Sequence, residues 1–349
     1  MNKKRAAGVL ATVVAVFILA ACASETVLET SAPQTTDEPT AVPTPTPTPT
    51  PIPYEDFAGA MVPPANPERL AQLTNLLSLV PENFSSTIFL DMEFLRSNDT
   101  LVSLISPEIL GMDRALPSIA AGLVDSIAVA TDFQTLSVIS PFQSNYAIGD
   151  ILRLAGGFGL QLGGDGPTTY EGHDVWRINA LGTVLAMATA DESTGVAASG
   201  QGLSAEEVRA VVEGSIDAFD GWSSALLDTA GLADLLGDVP SGFAGVVLSE
   251  CETLPLFTDM QGLPGCTGVV VTADILSGDL VVFHSLIGFT GQDEAASVMQ
   301  RAIEALEDLS SSHDFEDLGV RQEDGNLRVR VIVNVSKSTE VFRLFSPNS

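Results

Sequence analysis

Leu318-Gly319-Val320-Arg321, Gln322-Glu323-Asp324-Gly325-Asn326 and Leu327-Arg328-Val329-Arg330-Val331-Ile332-Val333-Asn334-Val335 are the stretch from which the fold class is read. Asp-Gly between two alternating apolar and polar runs is a strong hairpin signal, because the turn needs residues that tolerate a left-handed backbone. An antiparallel hairpin is expected here. Immediately upstream, Gln292 to Leu309 carries Ala295, Val298, Met299, Ala302, Ile303, Leu306 and Leu309 at helical spacing, with Asp293 and Glu294 at the positive end of the dipole. Further back, Gly268 to Ala273 and Leu280 to Ile287 read as strands.

The preceding half repeats this order. Asn66-Pro67-Glu68 reads as a helix start, with Asn66 as cap and leucines at 70, 73, 76 and 77. A strand is expected at Ser85 to Phe94, with Asp91 and Glu93 on its wet face. Strands near Ser126 to Ala130 and Thr135 to Ile139 follow, then a helix from Asn145 to Gly156. The meander of this half has its turn at Asn179-Ala180-Leu181-Gly182. Beyond it, Ser204-Ala205-Glu206-Glu207 is a capping box that opens a helix through Val211 and Val212.

Counting supports a tandem repeat. A shift of about 159 residues places Leu76, Val80, Pro81, Phe84 and Asp91 on Leu235, Val239, Pro240, Phe243 and Glu250. A shift of about 145 places Glu171, Val175 and Val184 on Glu316, Val320 and Val329. The counterpart of the first helix is then expected near Trp222, and the extra length of the first half between Arg96 and Ala121. The expected fold is α+β: two tandem related repeats, residues 54–220 and 221–349, each a mainly antiparallel sheet with helices packed on one face.

Lys3, Lys4 and Arg5 precede an apolar run from Ala6 to Ala21, which ends in Leu19-Ala20-Ala21-Cys22. This stretch resembles the lipobox of bacterial lipoproteins. The resemblance implies a signal peptide over residues 1–21, cleavage before Cys22, and lipid on the Cys22 thiol. The run of sixteen residues is shorter than the roughly 20 that span a bilayer. Residues 22–53 follow as a tether of Ser, Thr, Pro and acid, including the alternating Pro43 to Pro51 tract. Polyproline geometry makes such a tract a semi-rigid spacer of about 3.1 Å per residue. The tether, the leucine-rich segment ending in Val80-Pro81, and Tyr170, Gly172 and Val175 ahead of Ser204 to Val212 are similar to uncharacterised bacterial surface lipoproteins with domains of unknown function. That similarity carries no activity with it, and the second half has Phe315 and Asp317 in place of Tyr170 and Gly172.

The formal charge of the whole chain is −30; removal of residues 1–21 takes away three basic and no acidic residues, which leaves −33. Such a surface repels phosphate backbones, so nucleic acid is not an expected partner. The expected partners are the membrane, through the lipid on Cys22, and an envelope protein or small molecule. Outside the cytoplasm, Cys251 and Cys266 are expected to form a disulfide.

No catalytic motif stands out. His173, His284 and His313 are isolated, Gly157-Phe158-Gly159 with Gly163-Gly164 lacks the spacing of a phosphate cradle, and no nucleophile elbow occurs. No cofactor or metal is implied. The weak candidates for a cation are Asp91 with Glu93 and Glu250 with Glu252, since alternate strand residues share a face. The expectation is a lipid-anchored protein on the extracytoplasmic face of the cell membrane, a non-catalytic binding or scaffold module. A solute-binding lipoprotein of a transporter is the alternative, and an envelope hydrolase the third reading.

Overall fold

The computed structural model describes residues 66–98, 101, 123–132, 134–157, 161–180, 183–251, 263–312 and 315–338. The leader, Cys22, the tether, Glu252, His313 and nearly all of the stretch from Arg96 to Ala121 lie outside them. No helix among the described residues is long and apolar enough to cross a membrane.

Twelve strands form one antiparallel sheet. In chain order they are β1 Ser86–Asp91, β2 Ser126–Asp132, β3 Ser137–Gln143, β4 Gln161–Tyr170, β5 His173–Ala180, β6 Thr183–Thr189, β7 Thr194–Gly200, β8 Ala244–Leu248, β9 Cys266–Ser277, β10 Leu280–Phe289, β11 Asp317–Glu323 and β12 Asn326–Asn334. Their order across the sheet is β11-β12-β10-β9-β8-β1-β2-β3-β7-β6-β5-β4. The helices are α1 Pro67–Ser78, α2 Met92–Ser97, α3 Ile148–Gly157, α4 Ala205–Phe219, α5 Leu232–Asp238 and α6 Gln292–Ser312.

The α+β class and the hairpin at Asp324-Gly325 are as expected, with Asp324 at φ +50° in the two-residue turn between β11 and β12. Asn66 caps α1 by accepting from the Arg69 amide at 3.0 Å, and Ser204 with Glu207 forms the capping box of α4. Three expectations are corrected. The sheet is continuous across the boundary at 220, because β1 pairs with β8 from Ser86↔Leu248 to Leu90↔Ala244. Helices cover both faces: α1, α4 and α5 share one core with Phe89, Ala128 and Val247, while α2, α3 and α6 share the other with Phe142, Val246 and Val331. The physical reason is that the central strands are apolar on both sides. β8 is buried throughout and β10 nearly so, and a sheet wet on neither face needs two covering layers.

The third correction concerns register. Ile88 lies on the face of Val246, yet a shift of 159 would place it on Val247, which lies on the opposite face. A one-residue offset reverses every side chain of a strand, so that shift does not superpose the halves. The helix expected near Trp222 starts at Leu232 after a short 3-10 turn, Leu226–Asp228. Among the described residues, the first half carries β4, β5, α2 and α4 beyond what the second half has.

Cys251 and Cys266 are bonded, with Cα atoms 6.2 Å apart, and tie the end of β8 to the start of β9. Cys251 packs in the same core as Val246. Closing a loop of this length contributes about 3 kcal/mol in the chain-entropy account. Replacing both cysteines by serine is therefore expected to lower the urea-unfolding free energy by about that amount. An unchanged unfolding midpoint would show that the bond constrains nothing.

Candidate binding cleft at the β4–β5 edge

α4 presents Val208, Val212 and Ile216 to the sheet, one helical face at i, i+4 and i+8, and packs mainly on β6 and β7. The outer strands β4 and β5 run past this cover. β4 is also interrupted: Gly163 pairs with Arg177 and Thr168 with Val175, which leaves residues 164–167 opposite Trp176 alone. This bulge, with Pro167 lacking an amide donor, breaks up an edge that would otherwise be a template for strand addition.

A cleft of about 550 Å³ results, which has Val175, Arg177 and Ala186 on its floor, Gly166, Pro167 and Thr168 on its rim and Ala205, Glu206 and Arg209 as its wall. The space exists because Gly163, Ala186 and Ala205 are small. At Gly163 the Arg177 side chain lies across the backbone, and a Cβ there would stand 2.7 Å from its Nε. The cleft falls in the range usual for small-molecule sites.

Three contacts fix the β4–β5 hairpin beside the cleft. The Tyr170 hydroxyl donates to Asp217 at 2.9 Å, and His173 Nδ1 donates to the Thr189 carbonyl at 2.8 Å while Nε2 meets Asp220 at 3.2 Å. The contacts to Asp217 and Asp220 tie the β4–β5 hairpin, turned by Glu171 and Gly172 at positive φ, to the C-terminal end of α4, and the contact to Thr189 ties it to β6. The hydrogen bond to Asp217 pushes the Tyr170 phenol up to about 12, with burial adding to it. At the other end, Ser204→Ala is expected to cost about 1 kcal/mol by removing the cap. Thermal melts of the purified chain check this, and an unchanged midpoint would contradict it.

The charges in the cleft differ from those elsewhere. Arg209 is paired with Glu213 at 2.6 Å, and Arg69, Arg96, Arg153, Arg321, Arg328 and Arg330 each face a carboxylate. Among the described residues, Arg177 and Glu206 make neither an ion pair nor a side-chain hydrogen bond, and both are exposed at the cleft. An unpaired guanidinium is unusual on a chain with formal charge −30.

The residues singled out from sequence lie elsewhere. β1 ends at Asp91, so Asp91 and Glu93 do not share a strand face. Glu93 belongs to α2, and Asp91 caps that helix through the Phe94 amide at 2.8 Å. The reason is the buried Arg69, whose Nε donates to Asp91 at 2.8 Å and whose Nη1 donates to Asp274 at 3.3 Å, with the guanidinium 4.8 Å from the Phe94 ring centroid. Burial pushes the Asp274 carboxyl up, and Arg69 opposes it. Glu250 lies beyond the end of β8 and is exposed. No group of three or more His, Cys, Asp or Glu among the described residues is arranged to hold a metal ion. His284 is buried beside Arg330 across the β10–β12 register, and burial pulls its imidazole down to about 4, with Arg330 and Arg328 adding to this. Nothing in its own sequence neighbourhood distinguishes Arg177, and Glu206 reads there only as part of a capping box; the β4 bulge and the start of α4 bring the two to one cleft.

No protein family's sequence profile matches the chain, and no curated protein matches it. Among solved structures, crystal form III of TP0453 is 6% identical over 76% of this chain and 97% of that one, with a TM-score of 0.46. Crystal form I of the same protein is 9% identical over 77% and 97%, also with a TM-score of 0.46.

Proposed function

We propose that this protein is a lipid-anchored binding protein of the extracytoplasmic face, which holds a ligand in the β4–β5 cleft and carries out no chemistry of its own. The single observation behind the binding reading is a cleft of about 550 Å³ that contains an unpaired Arg177. The cleft favours a small molecule over a flat scaffold face, which raises the solute-binding alternative above the envelope-scaffold one. Anchoring rests on the resemblance of Leu19 to Cys22 to a lipobox, and the tether of residues 22–53 then holds the folded part away from the bilayer. We infer also a duplication in a register other than 159, with β1-β2-β3-β7-β6 corresponding to β8-β9-β10-β12-β11. It is supported by the matching order of these strands outward from the central β1–β8 pair.

Mass spectrometry of the protein taken from its own membranes tests both parts. The expected results are an acylated Cys22 at the mature amino terminus and, under native conditions, a non-covalent small-molecule mass that is lost in Ala205→Trp, which fills the cleft wall. An unmodified Cys22 sulfur overturns the anchor, and an identical bound mass in Ala205→Trp overturns the cleft.

A further inference from the structure

We propose that the ligand of this cleft is a small zwitterion, an amino acid or short peptide with an apolar side chain. Its carboxylate would sit on Arg177 and its ammonium on Glu206. The inference rests on the binding reading above and adds the chemical class. Among the described residues the cleft offers one free cation and one free anion, Arg177 on β5 and Glu206 in the first turn of α4, and the two do not pair with each other. Because they line one cleft from different elements, floor and wall, a ligand with both charges completes both at once. A monoanion would leave Glu206 facing it, and a monocation would meet Arg177; each bears a like-charge cost that the zwitterion avoids. A guanidinium accepts a carboxylate through two parallel hydrogen bonds, which fixes orientation as well as charge. Between them, Val175, Ala186 and Pro167 supply an apolar floor and rim. Gly163 leaves room for the Arg177 side chain to lie across β4, since a Cβ there would stand 2.7 Å from its Nε.

Calorimetric titration with L-leucyl-L-leucine, its N-acetyl form and its C-terminal amide tests this in the folded chain. For the native protein, blocking either end is expected to weaken binding by about tenfold or more, the size of one charge-assisted hydrogen bond. In Arg177→Gln, amidation should no longer matter while acetylation still does. In Glu206→Gln the pattern should reverse. Both side chains are exposed, so both variants are expected to keep the native melting temperature, and Arg177→Lys should restore only part of the carboxylate preference. Equal affinity for all three compounds, or variants that respond to both blocking groups as the native protein does, overturns the zwitterion. If the native protein binds none of the three yet retains a cleft-dependent mass from its membranes, the ligand class falls and the binding reading stands. If neither is seen, both fall.

Discussion

Replacing Arg69 by alanine is expected to lower the unfolding free energy by about 3–5 kcal/mol. The guanidinium is the shared partner of Asp91 and Asp274, and all three side chains are at most 14% exposed. Its loss would leave two carboxylates close together away from water, which costs far more than the pair itself contributes. The cation–π contact with Phe94, which itself stacks on Phe243 at 5.4 Å, would go as well. Arg69 also joins distant parts of the chain, since α1, the β1–α2 corner and β9 meet at its side chain. The triple variant Arg69→Met, Asp91→Asn, Asp274→Asn should recover much of the loss, because no buried charge remains unpaired. Urea unfolding measures both. A loss under about 1 kcal/mol for Arg69→Ala, typical of an exposed pair, would show that the cluster is open to solvent.

The second large effect is at Arg330, the most deeply buried arginine among the described residues at 1% exposure, which donates to Asp317. Arg330→Met is expected to cost about 3–5 kcal/mol at pH 7 by stranding Asp317. The cost should shrink on acidification, and His284 contributes to the reason. With an ordinary value of 6.5 and a folded value of about 4, this imidazole is neutral in both states at pH 7. Below 6.5 the unfolded chain takes up a proton that the folded chain refuses, so stability is lost as pH falls toward 4, by about 3 kcal/mol in all. Arg330 is one of the charges that hold the imidazole down, although burial is the larger cause. Its removal lets the folded chain accept the proton sooner. Unfolding midpoints at pH 7 and pH 4.5 for the native protein, Arg330→Met and His284→Leu check the account. His284→Leu should flatten the acid limb, and a limb as steep as that of the native chain would contradict the role given to this imidazole.

The parts of the fold readable from sequence are those fixed by local chemistry. Asp324-Gly325 gives a hairpin because few residues tolerate that turn, Asn66 and Ser204 give helix starts because their side chains satisfy open amides, and Cys251 and Cys266 find each other across a short loop. What was missed depends on pairings distant in sequence. Val281-Val282-Phe283 and Val269-Val270-Val271 are continuous apolar runs, a sign of strands covered on both faces, whereas the alternation at Ile88, Leu90, Met92 and Phe94 suggested a half-wet strand. The helix after Asp91 was hidden because the cap competes with strand continuation, and the deciding partner, Arg69, sits 22 residues upstream. The cleft was illegible for the same reason. Gly163-Gly164 reads only as a run without the spacing of a phosphate cradle, and the pairing of β4 with β5 shows that Gly163 makes room for Arg177.

Hydrogen–deuterium exchange of the folded chain, with and without the low-mass fraction of an extract of its own cell envelope, tests the central claim most directly. Slowed exchange confined to residues 161–177 and 204–209, absent in Ala205→Trp, is the predicted result. Protection that maps elsewhere on the sheet, or that persists in Ala205→Trp, would contradict a ligand held in the β4–β5 cleft.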